Sequence, residues 1–153
     1  MPRKGKTMDY FEIALNHGFH RYLLNDVRED MLQKLEFAPA EAPALLAALE
    51  EGRVSGSFYN GTQCCFVGTL GKARHGELWE SMCGGKIDLY PSDLAINNNG
   101  ALPGIIANPS SPVEKWFMRI NSHDTPLTCW ASAFAAGVVR EFLDACKMKV
   151  VAP

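Results

Sequence analysis

The strongest constraint on the fold is an apolar repeat near the C-terminus, in which large apolar residues recur at intervals of three or four. Its members are Leu127, Trp130, Phe134, Val138, Phe142 and Cys146. This spacing places them on one face of an α-helix. We therefore predict that Thr125 and Pro126 open a long final helix, the longest in the chain, whose apolar face enters the core.

A second helix has a clear starting signal. Ser111 is a good N-cap, Pro112 suits a first turn, and Glu114 stands where a capping box places its acidic residue. The apolar face of this helix comprises Val113, Trp116, Phe117 and Ile120. We predict that Trp116 and Phe117 form the main core together with Trp130 and Phe134.

Other helices are predicted in the N-terminal half from caps and breakers. The first covers Asp9 to His17 and ends at Gly18, and a short helical piece follows it. The next is capped by Asn25 or Asp26 and carries Val27, Met31 and Leu35. Two more run from Pro43 to Gly52 and, capped by Thr62, from Cys64 to Ala73. Between Val54 and Gly61, glycine, serine and an Asn-Gly pair indicate a turn or short β-hairpin.

The predicted fold is mainly α, a compact bundle of five to six helices with one long irregular segment. That segment runs from Gly76 to Ser111, where glycine and proline interrupt the helical period. Residues 1–8 are predicted to be a flexible basic tail and residues 9–150 a single helical domain.

Composition narrows the classes of function. The formal net charge of −2 does not favour nucleic acid as a partner, and no apolar run reaches the roughly 20 residues of a membrane span. Arg3, Lys4 and Lys6 are not followed by the apolar core of a signal peptide. Because the five cysteines are odd in number and two are adjacent, we expect a reducing cytoplasm rather than a disulfide framework.

The adjacent Cys64 and Cys65 are the best candidates for a catalytic group. At a helix N-terminus the dipole lowers a thiol pKa, so either residue could serve a hydrolase or transferase with His75, or with His123 and Asp124. The simpler interpretation is that Cys65 packs in the core, because cysteine is among the most buried residue types.

No metal or cofactor is predicted. If one helix joins Cys64 to His75, these residues lie about 16 Å apart at 1.5 Å per residue, too far to share a metal. The chain contains no Cys-x-x-Cys pair, and the glycines near Lys72 lack the spacing of a phosphate-binding loop.

A ligand-binding surface is predicted beside the fourth helix. Glycine inside a helix is unfavourable, so Gly68 and Gly71 suggest that another element or a ligand approaches the backbone closely. The neighbouring irregular segment offers aromatic and amide side chains for such a ligand. The predicted binding residues are Gly68, Gly71, Trp79, Tyr90, Asn97, Asn98 and Asn99.

Three motifs resemble those of a family of small, uncharacterised phage, prophage and bacterial proteins. They begin at Cys65 (Cys-Phe-Val-Gly-Thr-Leu), at Ser111 (Ser-Pro-Val-Glu-Lys-Trp-Phe) and at Asp124 (Asp-Thr-Pro). The family has Cys-Leu-x-Gly-Thr, Ser-x-x-Glu-x-Trp-Phe and Gly-Asp-Thr-Pro, so His123 stands where the family has glycine.

The resemblance implies a context rather than a reaction. It suggests a non-catalytic binding protein in the host cytoplasm that masks a host protein or sequesters a small-molecule ligand, and so counters host defence. The alternative is the cysteine-dependent hydrolase or transferase, and self-association of the chain stays open.

Overall fold

Seven α-helical segments account for most of the described chain, which confirms the mainly helical prediction. The computed structural model describes residues 3–55, 64–82, 102–105 and 110–151, with the backbone alone for residues 3–9, 80, 82 and 148–151. The helices are α1 (Arg3–Asn16), α2 (Arg21–Leu35), α3 (Ala42–Glu50), α4 (Phe66–His75), α5 (Leu78–Met82), α6 (Pro112–Phe117) and α7 (Trp130–Val151), and a 3₁₀ turn, Pro39–Glu41, precedes α3.

The first and last helices pack together along the core. The Tyr10 ring meets Phe134 edge-on at 5.1 Å, and a Cβ atom on Gly137 would overlap the Tyr10 ring. Glycine at position 137 therefore allows α1 and α7 to approach closely. At the margin of this contact, the Glu141 carboxylate accepts hydrogen bonds from the Tyr10 hydroxyl and from Arg28 of α2.

The aromatic core follows the prediction for α6 with one exception. Trp116, Phe117 and Phe134 are buried, and the Trp116 indole Nε1 donates to the Ala131 carbonyl at 3.0 Å. Trp130 is only partly buried and packs at the edge of this core. As predicted, Ser111 caps α6, because its Oγ accepts from the Glu114 amide at 3.5 Å.

Several predicted boundaries were wrong. Helix α1 begins at Arg3, so most of the predicted tail is helical. Helix α2 begins at Arg21 with His20 at the N-cap, so Asn25 and Asp26 lie inside it; burial of Leu24 outweighs their capping preference. Helix α4 begins at Phe66 rather than Cys64, with Cys65 as its cap.

The start of the last helix also differs from the prediction. Residues Thr125 to Thr128 form a turn, and α7 begins at Trp130. Leu127 therefore leaves the apolar face of the helix, and its side chain is 97% exposed.

The predicted irregular segment contains a helix of its own. Helix α5 lies within it, and Trp79 on that helix, predicted to bind a ligand, is fully buried. Most of the predicted hairpin lies outside the described residues, as does Thr62. Val54, at its start, forms an isolated parallel bridge with Cys64, which lies beyond its predicted end.

Candidate functional site

The N-terminus of α4 brings together the two cysteines and a buried carboxyl group. Cys65 has an extended backbone, and its Sγ accepts from the Gly68 amide at 3.4 Å. Cys64 is held by the bridge to Val54, in which its carbonyl accepts from the Ser55 amide at 3.0 Å. The predicted placement of the thiols at a helix N-terminus is confirmed.

Glu114 reaches this N-terminus from α6. Rather than completing a capping box on its own helix, its Oε2 accepts from the Val67 amide at 3.1 Å. The side chain is buried, and among the described atoms its Oε1 has no hydrogen-bond partner. Helix α2 adds Asp30, which accepts from the Val113 amide at 3.0 Å and pairs with Lys34 at 2.9 Å. The Glu114 carboxyl group thus connects α6 to the first turn of α4.

Burial controls the protonation of this cluster. Loss of hydration raises the pKa of Glu114 to about 7, against the favourable influence of the Val67 amide and Lys34. Burial also raises the pKa of the Cys65 thiol well above its ordinary value, and negative charge on Glu114 raises it further. Because the thiolate is the reactive form, Cys65 is held in its unreactive form.

The remaining candidate catalytic groups do not complete a nucleophilic site at Cys65. His75 ends the same helix that Cys65 caps, about 15 Å away along the axis, and its ring stacks on Trp79 at 6.0 Å. His123 is exposed, and its amide donates to the Gly52 carbonyl at 3.0 Å. The Asp124 carboxylate accepts from the Asn121 amide at 3.0 Å.

The two glycines of α4 lie on its buried side, and the structure shows what approaches one of them. A Cβ atom on Gly71 would overlap the indole ring of Trp79, so α5 packs its tryptophan against the bare backbone of α4. The Gly71 site is therefore filled by the chain itself. Tyr90, Asn97, Asn98 and Asn99 lie outside the described residues.

A cavity of about 450 Å³ opens between α3 and α4, and we call it the α3–α4 cavity. Its lining is Ala44, Ala47, Ala48, Arg53, Cys64, Thr69, Lys72 and Ala73. Four alanines supply a smooth apolar surface, and the charged members, Arg53 and Lys72, are both cations. The Arg53 guanidinium also pairs with Glu51 at 2.8 Å, where both side chains are about half exposed.

These features were hidden from sequence reasoning for different reasons. Arg53 and Lys72 are far apart in the chain, and small alanines within a helix suggest packing rather than a cavity. Glu114 was interpreted as a capping residue, and nothing local indicates that its partner is the amide of Val67, 47 residues away.

The described residues contain neither a metal-binding cluster nor a helix that could span a membrane. No three His, Cys, Asp or Glu side chains in these ranges cluster closely enough to hold a metal ion. None of the described helices combines the length and apolar character needed to cross a bilayer.

No protein-family model, curated protein or solved structure matches the chain. The resemblance of the Cys65, Ser111 and Asp124 motifs to phage-encoded proteins therefore stays a prediction.

Proposed function

We propose that the chain is a non-catalytic binding protein and that its α3–α4 cavity holds a small organic anion. The observation that carries this proposal is the composition of the cavity wall, where two cations and four alanines occur without a carboxylate among the described residues. Cationic groups at the edge of an apolar surface suit a ligand with a phosphate or carboxylate group and a flat apolar part.

The pairing of Arg53 with Glu51 does not compete strongly with such a ligand. Both side chains are about half exposed, and exposed ion pairs contribute about 0 to 1 kcal/mol. An anion in the cavity can therefore draw the guanidinium inward at small cost. Thr69 adds a hydroxyl to the wall, although it already donates to the Cys64 carbonyl at 3.2 Å.

The alternative, a cysteine-dependent hydrolase or transferase, has less support. Cys65 is sealed in the core with a raised thiol pKa, and His75 lies at the far end of the same helix. Cys64 lines the cavity but is 3% exposed, which leaves little of its sulfur open to a substrate.

Native mass spectrometry of the protein purified from its host, followed by titration calorimetry with the ligand it identifies, tests the proposal. We expect a bound organic anion, which Ala47→Leu displaces by filling the cavity and which Arg53→Gln and Lys72→Gln each weaken about tenfold. Ala40→Leu, on the exposed 3₁₀ turn outside the cavity, is the matched control. Unaltered ligand binding by Ala47→Leu would contradict the proposal.

The phage context extends this proposal to a biological role. Sequestering such an anion would remove a host signal or metabolite and so counter host defence. We expect the gene to raise phage plating on defended hosts and Ala47→Leu to abolish that gain. Equal plating with and without the gene would reject the role in defence but leave anion binding standing.

A further inference from the structure

Two arginines differ from all the others whose side chains are described. Arg28, Arg53, Arg74 and Arg140 each form an ion pair with a glutamate. Arg21 and Arg119 lie within salt-bridge distance of no carboxylate among the described side chains. No described carboxylate therefore neutralises these two guanidinium groups, and a carboxylate of an external partner can bind them.

Both of these guanidinium groups lie on aromatic rings. The Arg119 guanidinium lies 4.8 Å from the centre of the Phe19 ring and 5.4 Å from that of Trp116, and Arg21 lies 5.7 Å above Phe11. These rings belong to one cluster, since Phe11 and Trp116 both contact Phe134. Stacking holds a guanidinium in place, while the edge of its planar fork can still donate to a carboxylate.

Exposed apolar side chains occur on the segments next to these arginines. Leu127 is 97% exposed, Met118 49% and Ile13 41%. Leu127 is presented by an ordered turn: its amide donates to Thr125 Oγ1 at 3.2 Å, and the Cys129 amide donates to the Thr125 carbonyl at 2.9 Å. The turn thus holds Leu127 in an exposed position that an apolar side chain of a partner can cover.

Contacts join the aromatic rings of this region to Arg119, and the backbone brings Ile13 and Leu127 beside them: the Ile13 carbonyl accepts from the His17 ring at 2.9 Å, and Leu127 lies in the turn that ends at Cys129. The His17 ring stacks on Trp130 at 5.4 Å, Phe19 contacts Trp130 at 4.7 Å, and the Cys129 thiol donates to the Arg119 carbonyl at 3.9 Å. We call this region the aromatic–arginine surface; its members are Ile13, His17, Phe19, Arg119, Leu127 and Trp130, and Arg21 lies at its border.

We propose that the aromatic–arginine surface docks an acidic segment of a partner protein that carries exposed apolar side chains. Carboxylates of the segment bind the edges of Arg119 and Arg21, and its apolar side chains cover Leu127, Ile13 and Trp130. The aliphatic residues favour protein over nucleic acid, because single-stranded nucleic acid stacks on exposed aromatic rings, whereas Phe19 and Trp130 are partly buried. A second copy is disfavoured because a two-fold contact would set this surface, whose named members include no carboxylate, against itself.

Selection from a yeast-displayed library of random 16-residue peptides, with the full chain as bait, tests this inference. We expect the enriched peptides to combine Asp or Glu with Leu, Ile or Phe. Fluorescence anisotropy of one such labelled peptide should show that Leu127→Asp and Arg119→Glu each weaken binding at least about tenfold. Circular dichroism should show that both variants fold.

The matched controls are Leu78→Asp and Arg140→Glu, because Leu78 is also exposed and Arg140 also lies at the surface, both away from these aromatic rings. They should bind the peptide within about twofold of the original chain. Failure to enrich acidic apolar peptides, or equal weakening by the controls, overturns the proposal.

Two further measurements test the alternative partners, nucleic acid and a second copy of the chain. A fluorescein-labelled 15-nucleotide oligo-dT strand should bind more weakly than the peptide. Sedimentation equilibrium should show no dimer that the Leu127→Asp substitution dissociates. Oligo-dT binding that Arg119→Glu abolishes would overturn the proposal in favour of nucleic acid. A dimer that Leu127→Asp dissociates would overturn it in favour of a second copy. The α3–α4 cavity is built from other residues, so the two proposals fail separately.

Discussion

At the scale of single residues, Glu114 and His123 both occupy positions that oppose the ordinary preference of their side chains. Glu114 holds a carboxyl group in the core, where one oxygen accepts a hydrogen bond and the other has no partner among the described atoms. His123 adopts a backbone φ of 73°, in the left-handed region that favours glycine. Each position therefore gives a test whose sign is set by physical chemistry.

For Glu114 we expect stability to depend on pH through one group. Because burial raises its pKa from 4.5 to about 7, the unfolded chain loses this proton first, and stability falls as pH rises between those values. The free energy of unfolding should fall by roughly 3 kcal/mol more than that of the Glu114→Gln variant, whose side chain cannot ionise. Urea unfolding of both proteins at pH 4.5 and 8 measures the difference. Parallel pH profiles would show that Glu114 is not held protonated.

For His123 we expect glycine to be better tolerated than histidine. The left-handed conformation costs a side-chain-bearing residue about 1 to 2 kcal/mol, partly offset by the greater chain entropy that glycine loses on folding. His123→Gly should therefore raise the free energy of unfolding by about 0.5 to 1 kcal/mol. Gly52, whose carbonyl accepts from the His123 amide, gives a control of opposite sign. Gly52→Ala should lower the free energy of unfolding, since it adds a Cβ atom 3.0 Å from the His123 carbonyl oxygen at a φ of 72°. A gain from both changes would contradict this explanation.

At the scale of the elements, local signals located some helix ends and tertiary packing determined the others. Ser111 and Pro112 open α6, and Gly52 follows α3, as their types predict. His20 has no side-chain bond as a cap, yet α2 begins after it because Leu24 and Val27 are buried. Such burial depends on partners distant in sequence, which no local pattern reveals.

The candidate site was predictable to a smaller extent than the fold. Placement of Cys65 at a helix N-terminus follows from residue types nearby. Its burial against Glu114, and the cavity that Arg53 and Lys72 share, depend on how α3, α4 and α6 pack. Leu127 illustrates the opposite error, because it fits the helical period of α7 although a turn excludes it.

The contact between Gly71 and Trp79 gives a prediction about α4 and α5. Gly71→Ala should destabilise the chain by about 1 to 3 kcal/mol, because the added methyl group overlaps a buried indole. Replacing Trp79 by Leu should remove most of that additional cost, so the double-mutant cycle should show coupling above about 0.5 kcal/mol. Thermal unfolding of the four proteins measures it, and additive effects would place Trp79 away from Gly71.

At the scale of the whole molecule, thiol reactivity should report which parts of the chain open together. Cys64 and Cys65 are buried, whereas Cys129 and Cys146 are partly exposed. With iodoacetamide under native conditions, Cys146 should react in minutes, and Cys65 should react only at the rate at which the core opens. Peptide mass spectrometry over time distinguishes the sites, with urea-unfolded protein as the control. Equal native rates for Cys65 and Cys146 would show that the α4 N-terminus opens independently.

The packing of α1 against α7 has a consequence for how the chain is made. Tyr10 and Phe11 contact Phe134, so the earliest described helix finds its main partner in the last one. Until α7 has been synthesised, α1 lacks the apolar face against which most of its own is buried. The core therefore closes after α7 has been synthesised, and until then the nascent chain exposes the surface that chaperones bind.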